Sequence, residues 1–149
     1  MKNFLDQEIN EGDTIVFIRN QRGAPACLKY GTVCKVNNKS IDVNSEQKKY
    51  RVMFSTSPYK DNTKLLKALV LKERASRTGK TVDFTGYLIQ IGDTIAFTEK
   101  VYVGAVESFI IGTVTGITAH SVNIHSDLPS YEYARRAFDR VIVINGFIN

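Results

Sequence analysis

The chain has little of what marks several common protein classes. Among its 149 residues there is no tryptophan, and there are only three prolines, two cysteines and two histidines. Its longest apolar runs fall well short of the ~20 residues that a membrane-spanning helix needs. Cys27 and Cys34 have no second pair of cysteines with which to form a zinc site, and their spacing fits no zinc pattern. We therefore expect packed or surface thiols rather than a redox or metal role, and no contact with a membrane.

Sequence signatures of enzymes are also missing. Residues 79–81 (Gly-Lys-Thr) resemble the end of a phosphate-binding loop, but Arg74 occupies the position where that loop requires glycine. There is no HExxH metal motif and no Gly-x-Ser-x-Gly nucleophile elbow. Asp13 and Asp93 each follow a glycine, where aspartate is a common turn residue. We expect no catalytic residues, cofactors, bound metals or small-molecule substrate. The early Asp6 argues against a secretion signal, so a cytoplasmic location is expected.

The chain does contain an internal repeat. Three blocks occur twice in the same order, 80 or 81 positions apart, which indicates two copies of one small unit. The block pairs are Gly12–Phe17 with Gly92–Phe97, Gly31–Val33 with Gly112–Val114, and Lys39–Val43 with His120–Ile124. Many domains of about 70 residues fold unaided, although they are marginally stable. The repeat therefore predicts two small domains in place of one larger domain.

Within each copy the pattern predicts short β-strands. Apolar and β-branched residues follow each Gly-Asp turn, and Gly-Thr-Val falls inside a later strand, where glycine marks a bulge or a close backbone approach. Residues 64–71 align with 136–143 as a helical turn and a last strand, and Tyr50 aligns with Tyr131. We predict an all-β protein of two tandem five-stranded small barrels, each with a short helical turn before the last strand; one larger β-sandwich is the alternative. The predicted parts are a first barrel at 1–73, a linker at 74–82 and a second barrel at 83–149.

Positive charge is concentrated in the first copy. Residues 1–74 carry 14 lysines and arginines against 8 acidic residues, whereas residues 75–149 carry 6 against 7. Such an asymmetry favours a polyanionic partner and says nothing about the fold. Adjacent loops of a small barrel converge at one end, so the cations of the first copy are expected to form one patch. Dispersed, solubilising lysines are the alternative.

The repeated pattern resembles a known motif. Gly-Asp-x-Ile-x-Phe, then Gly-Thr-Val, then Ser-Ile-Asp-Val or Ser-Val-Asn-Ile, is similar to the KOW motif over residues 9–44 and 89–125. The resemblance implies SH3-like (KOW or Tudor-like) barrels that bind RNA, DNA or the transcription and translation machinery. The loop after the first strand is longer here than in that motif. A tandem pair in a short basic protein is similar to small early proteins of large tailed phages, which implies duplex DNA binding with little sequence preference and an effect on transcription.

The candidate phosphate contacts are basic residues of loops, polar strand positions and the linker. They are Arg19, Arg22, Lys29, Lys35, Lys39, Lys48, Lys49, Arg51, Lys60 and Lys64 in the first copy, Arg74, Arg77 and Lys80 in the linker, and Arg135 and Arg136 in the second copy. Contacts of this kind bind the nucleic-acid backbone without reading its bases. The expected partner is duplex DNA in preference to RNA, with a host or phage transcription or nucleoid protein as a further partner.

Aromatic residues leave two other ligand classes open. Tyr30, Tyr50 and Tyr59 lie among basic residues, a mixture that suits stacking on single-stranded bases, although we expect Tyr30 and Tyr50 to be core or rim residues of the sheet. In the second copy, Tyr102, Tyr131 and Tyr133 offer the start of a Tudor-like aromatic cage for a peptide. Peptide binding and RNA or ribosome binding are therefore the alternatives to duplex DNA.

Overall fold

The computed structural model describes residues 1–21, 24–53, 64–100, 107–126 and 132–147. In these residues the protein is all-β, with two five-stranded antiparallel sheets, one short parallel pair and a single 3-10 turn. The chain forms two compact units. Unit 1 comprises Met1–Lys72 with Lys100–Phe109, and unit 2 comprises Glu73–Glu99 with Ile110–Asn149. No helix in the described ranges is both long and apolar enough to cross a bilayer.

Unit 1 is built around the first sheet. Its strands are β1 (Lys2–Asn3), β2 (Thr14–Gln21), β3 (Ala24–Val36), β4 (Ser40–Ser45), β5 (Lys48–Met53), β6 (Lys64–Leu65) and β7 (Ala68–Val70). The sheet order is β5-β4-β3-β2-β7, while β1 and β6 form the parallel pair. Alternate side chains of the sheet, among them Ile15, Phe17 and Val43, form the core together with Leu65 of β6.

The second sheet repeats this order. Its strands are β8 (Thr94–Lys100), β9 (Glu107–Ile117), β10 (Ser121–Ser126), β11 (Tyr133–Ala137) and β12 (Val141–Val143), in the order β11-β10-β9-β8-β12. A 3-10 turn at Phe138–Arg140 precedes the last strand. Within the described residues no ladder joins the two edge strands of either sheet, so each sheet is open. The predictions of an all-β protein and of two five-stranded sheets are confirmed.

The Gly-Asp pair opens each sheet with the same turn. Gly12 and Gly92 have φ angles of +89° and +93°, a left-handed conformation that glycine adopts without steric cost. Each following aspartate accepts the backbone N–H three residues upstream through Oδ2, at 2.9 Å for Asp13 and 2.7 Å for Asp93. The predicted turn role of both aspartates is confirmed.

The glycine of Gly-Thr-Val lies against the core in both sheets. A Cβ atom on Gly31 would lie 2.3 Å from Cγ1 of Val43 and 3.1 Å from the Phe17 ring. A Cβ atom on Gly112 would lie 2.6 Å from Cγ2 of Ile124, at the same place in the second sheet. No real Cβ tolerates such distances, so only glycine allows the strands to approach this closely. The predicted close approach is confirmed in both copies.

Each of these glycines is followed by a bulge three residues later. The ladder between β3 and β4 leaves Cys34 unpaired and shifts register there. The ladder between β9 and β10 does the same at Thr115. The side chain of each bulged residue donates to a carbonyl of the neighbouring strand, Cys34 to Asp42 at 3.2 Å and Thr115 to Asn123 at 3.3 Å. Bulges bend and twist a strand locally, so both sheets curve at the same point.

Replacing Gly31 with alanine is expected to lower the free energy of unfolding by about 1–3 kcal/mol, because the β-branched Val43 cannot move away from the new methyl group. Gly79→Ala is the matched control, since its Cβ would meet only the flexible end of the Leu88 side chain. Chemical denaturation of both variants measures the difference. Equal stability of Gly31→Ala and Gly79→Ala would contradict the packing argument.

Unit 1 lacks the predicted helical turn before its last strand. Residues 66–67 form a bend between β6 and β7. Because β6 pairs with β1, residues 64–65 stay extended, and only two residues remain to reach β7. Two residues cannot complete a 3-10 turn. The prediction of a helical turn in each copy is therefore wrong for unit 1 and confirmed for unit 2.

Strand register also corrects the alignment of the last strands. Val70 pairs with Ile15 of β2, and Val143 pairs with Ile95 at the equivalent position of β8. Val70 therefore corresponds to Val143, whereas the sequence alignment placed residue 71 there. The alignment was therefore one residue out of register in this strand.

The match between Tyr50 and Tyr131 is wrong as well. Tyr50 pairs with Val43 in β4, and Ala134 pairs with Ile124, the counterpart of Val43 in β10. Tyr50 therefore corresponds to Ala134. Two similar tyrosines near the start of a strand had suggested a shared structural role, but the hydrogen-bond ladder is what fixes equivalent positions.

A buried polar side chain closes the first loop of each copy. Oδ1 of Asn3 accepts the backbone N–H groups two and four residues later, both at 3.0 Å. Oδ1 of Asp83 does the same at 2.7 and 3.0 Å. Both residues are buried. The sequence signal was present in the repeated pairs Asn3-Phe4 and Asp83-Phe84, 80 positions apart.

The two units satisfy the same backbone groups of the last strand with different chemistry. In unit 1, Gln7 donates through Nε2 to the carbonyl of Val70 and accepts its N–H through Oε1, both at 2.9 Å. In unit 2, Oδ2 of Asp83 accepts the N–H of Val143 at 2.7 Å, and Arg74 donates to the carbonyl of Val143. A neutral amide in unit 1 is thus replaced by two charged groups in unit 2.

Candidate nucleic-acid interface

The solvent face of unit 1 carries cross-strand rows of polar residues on β3, β4 and β5. In the first row, Asp42 lies opposite Lys35 on one side and opposite Arg51 on the other. Nε of Arg51 donates to Oδ1 of Asp42 at 3.0 Å, and this hydrogen bond is the main reason why the pKa of Asp42 lies below its usual value. One carboxylate therefore lies between two cations, and the row keeps a net positive charge.

The second row reaches the edge of the sheet. Lys49 lies opposite the exposed Asn44 on this face, whereas Lys48, the first residue of β5, lies opposite the buried Ser45. Both lysines are exposed, as is Lys39 in the turn before β4. Because β5 is an edge strand, its lysines lie at an accessible border of the sheet. Edge lysines also prevent strand-to-strand association, which is the purely structural explanation for them.

Lys29 and Arg19 make contacts within unit 1. Nζ of Lys29 lies 2.9 Å from Oε2 of Glu46, and this hydrogen bond raises the pKa of Lys29. The guanidinium carbon of Arg19 lies 5.3 Å from the ring centroid of Tyr50, within the range of a cation–π contact. The Tyr50 ring in turn packs 5.5 Å from the ring of Phe17. Tyr50 is thus the rim residue that the sequence analysis expected.

A groove of 190 Å³ opens beside Arg19 and is lined by residues of β2, of β5 and of the bend before β7. Its lining includes Ile18, Arg19, Tyr50, Val52, Met53 and Lys67. Lys67 is half-buried in the bend before β7, and its burial lowers the pKa of its ammonium group. Lys67 is not among the predicted contacts, because nothing in the local sequence pattern distinguishes it from a solvated lysine.

Two of the three predicted linker contacts lie inside unit 2. The guanidinium carbon of Arg74 lies 3.6 Å from the ring centroid of Tyr87 and 4.2 Å from that of Phe147, and its side chain is only 9% exposed. Arg77 donates twice to the buried Asp93, at 3.1 and 2.7 Å. These contacts explain why residues 74–82, predicted as a linker, cluster with unit 2. The structure places both arginines in internal contacts rather than on a solvent-facing basic bridge.

The two predicted contacts of the second copy lie on opposite faces of β11. Arg135 is exposed and donates through Nε to Oδ1 of Asn123 at 3.1 Å, the same cross-strand contact that an arginine makes in unit 1. Arg136 lies on the inner face, donates through Nε to the carbonyl of Thr98 at 3.0 Å and forms an ion pair with Glu99. Only Arg135 of this pair is available to a ligand without rearrangement.

The remaining predicted contacts are placed as follows. Arg22 and Lys60 lie outside the described residues, and only the backbone of Lys64 is described. Lys80 is exposed. The predicted contacts that the structure shows to be exposed are Lys35, Lys39, Lys48, Lys49, Arg51, Lys80 and Arg135.

The predicted aromatic cage is described only at one position. Tyr102 and Tyr131 lie outside the described residues, whereas Tyr133 is 77% exposed, with its ring 5.5 Å from His125 in an edge-on contact. Tyr30 of unit 1 is 46% exposed and so lies on the surface of the sheet. A cage needs several convergent rings, and the described residues supply one of those predicted.

In the described part of the chain, no three His, Cys, Asp or Glu side chains form a group that could hold a metal ion.

A comparison with curated proteins finds no match. One family model, described as "Domain of unknown function (DUF7205)", matches residues 1–69 and 81–144, which cover most of both copies. The chain therefore belongs to the DUF7205 family.

Proposed function

We propose that the protein is a non-enzymatic nucleic-acid-binding protein that binds duplex DNA in preference to RNA, through backbone phosphates and with little sequence specificity. In this proposal each unit is an SH3-like small barrel of the KOW or Tudor-like type. The strand order supports this, because in each sheet the last strand pairs with the first long strand, as a sheet that curls toward closure requires. The protein would act in the cytoplasm and modulate transcription, with a transcription or nucleoid protein as a further partner.

The observation that carries the proposal is the exposed cationic face of unit 1. Lys35 of β3 and Lys49 of β5 are exposed on this face, the exposed Lys48 begins β5 beside them, and the carboxylate of Asp42 on the strand between is already hydrogen-bonded to Arg51. Lysines that neutralise phosphates release condensed counterions, which gives affinity that does not depend on sequence. Point charges of this kind position a protein on the backbone and do not read base edges.

Unit 2 contributes less charge in this proposal. Its arginines at 74, 77 and 136 are engaged internally, which leaves Arg135 and Lys80 as its exposed predicted contacts. A second weak module on the same chain still raises the overall affinity, because its binding becomes intramolecular once the first module is bound. The proposed role of unit 2 is therefore to increase avidity.

A competition assay tests the proposal. Labelled duplex DNA is bound to the full chain and displaced by unlabelled duplex, single-stranded DNA or structured RNA, at salt concentrations from about 50 to 200 mM. We expect duplex DNA to compete best and log K to fall linearly with log salt, with a slope of roughly −3 to −4 for four phosphate contacts. Affinity that ignores salt would overturn the proposal, and stronger competition by RNA would favour the RNA alternative. A protein partner that persists after nuclease treatment would favour the peptide-binding alternative.

A further inference from the structure

The groove of unit 1 differs from the rest of the cationic face because its charges are held in place by the fold. The backbone carbonyl of Lys67 accepts the N–H of Ile18 at 2.9 Å, which fixes the bend that carries this lysine against β2. Arg19 is held over the ring of Tyr50. Two cations are therefore positioned at one opening, whereas the exposed lysines of β5 extend into solvent.

The charge of this groove is not balanced by its own lining. None of the described residues that line it is acidic. Arg19 contributes to the lowered pKa of Glu46, but that carboxylate is hydrogen-bonded to Lys29, and this bond is the main cause of the shift. Burial lowers the pKa of Lys67 because its charged form is poorly hydrated. An anion in the groove would compensate for the hydration that the charged ammonium group of Lys67 loses by burial.

The corresponding place in unit 2 contains an anion of its own. Counting from the glycine turns, Arg19 of β2 corresponds to Glu99 of β8. Ala68 and Val141 pair with equivalent phenylalanines, so the residues before them, Lys67 and Arg140, also correspond. Unit 2 therefore keeps the cation of the bend and places a carboxylate where unit 1 has an arginine.

A second arginine completes the arrangement in unit 2. Val52 and Arg136 pair with equivalent residues of β4 and β10, so they occupy the same inward position. The guanidinium of Arg136 lies 5.4 Å from the ring centroid of Phe97 and forms an ion pair with Glu99, while Arg140 donates to Oγ1 of Thr98 at 3.1 Å. The fold thus accommodates a carboxylate paired with an arginine at this point when the sequence supplies both.

The size of the groove limits what can occupy it. Its 190 Å³ is well below the roughly 300–1,000 Å³ of pockets that enclose drug-sized ligands. A single phosphate group fits this size and the two fixed cations. An arginine can bind such a group through two parallel hydrogen bonds, and a lysine adds a point charge.

We propose that the groove of unit 1 is an anion site in which Arg19 and Lys67 bind one backbone phosphate of the nucleic acid, and that unit 2 has closed the same site with its own Glu99–Arg136 ion pair. This inference rests on the proposed function for the identity of the ligand. The shared chemistry is a phosphate oxygen, whether from a free phosphate ion or from a phosphodiester.

Transplanting the closed arrangement into unit 1 tests the proposal. The double variant Arg19→Glu with Val52→Arg copies unit 2 and changes the net charge by −1. The control Lys72→Ala removes the same charge at an exposed residue outside the groove. Measured with duplex DNA by fluorescence anisotropy, the double variant should bind several-fold more weakly than the control, and its salt slope should be smaller by about one. Lys67→Met, which keeps the length of the side chain, gives the same comparison if the double variant does not fold.

A second measurement uses inorganic phosphate alone and does not depend on DNA binding. Titration of the full chain, followed by NMR, should shift the backbone amides of Arg19, Tyr50 and Lys67, and the double variant should abolish these shifts. Shifts confined to other residues would mean an adventitious ion only and would overturn the inference. If wild type binds DNA and the double variant matches the control, the groove inference fails while the proposed function stands. If wild type does not bind DNA but phosphate shifts the groove residues, the proposed function fails and the anion site stands.

Discussion

Replacing Asp83 with alanine is expected to lower the free energy of unfolding by about 3–5 kcal/mol, because it leaves the buried guanidinium of Arg74 without its carboxylate. Asp83 is buried and serves two parts of unit 2 at once. Its Oδ1 accepts two backbone N–H groups of the first loop, and its Oδ2 accepts the N–H of Val143 in the last strand. Alanine removes all of these acceptors in a place that water does not reach.

Groups other than Asp83 also stabilise the guanidinium of Arg74. Burial lowers the pKa of Arg74, whereas the neighbouring Asp83 opposes that shift. The guanidinium is also packed against the rings of Tyr87 and Phe147 and donates to Oγ1 of Thr85 at 3.0 Å. These contacts require the guanidinium to stay where it is, so after the substitution it cannot reach solvent without losing them.

Two further variants separate charge from geometry at this position. Asp83→Asn keeps an oxygen for the loop N–H groups but loses the negative charge and the acceptor for Val143, so an intermediate loss of stability is expected. Asp139→Ala removes an exposed carboxylate of the same unit and should change the stability by less than about 0.5 kcal/mol. Urea denaturation of the three variants gives the order. A midpoint for Asp83→Ala equal to that of Asp139→Ala would refute the structural role assigned to Asp83.

The features that could be predicted from sequence are those that a single residue type imposes on the backbone. Gly12 and Gly92 must adopt positive φ, and Gly31 and Gly112 must leave room for a neighbouring strand. These requirements are local, so they leave the same residue at the same spacing in both copies. The repeat, the strands around it and the all-β class follow from them.

Outside the repeated blocks, the sequence could not predict which residues of the two copies occupy equivalent positions, because this depends on pairing between distant strands. Arg136 illustrates the consequence. In the sequence it stands beside Arg135 and looks equally available, yet the ladder places it on the inner face of β11, at the position that Val52 occupies in unit 1. Counting from the nearest repeated block misaligned this region, since the second copy has three more residues than the first between its third and fourth strands.

The internal contacts of Arg74 and Arg77 could not be predicted from the charge of the sequence, for a related reason. Arg74 and Arg77 lie in a stretch without periodicity, where basic residues usually face solvent. Their partners, Asp83 and Asp93, are 9 and 16 positions away, and Asp93 also accepts the backbone N–H of Gln90 in the turn that the sequence predicts. An aspartate that serves a turn with one oxygen can still bind an arginine with both, and only the folded arrangement shows that it does.

The predicted interface on β5 is best tested by reversing two charges at once. The double variant Lys48→Glu with Lys49→Glu is expected to weaken binding to duplex DNA equally for all sequences and to reduce the magnitude of the salt slope by about two. Both side chains are exposed at the edge of the sheet, so the stability of the fold should hardly change. Electrophoretic mobility shifts on several unrelated duplexes, repeated over a range of salt, measure both quantities.

The matched control distinguishes a positioned interface from a general attraction between a basic protein and DNA. Lys2→Glu with Lys72→Glu produces the same change in net charge at exposed lysines that lie outside β3, β4 and β5. If overall charge were responsible, both double variants would lose affinity alike, because long-range attraction depends on the summed charge. If Lys48 and Lys49 contact phosphates, their variant loses more affinity and its slope changes, whereas the control keeps a slope close to that of wild type. Equal losses in the two variants would remove the solvent face of unit 1 as the binding surface.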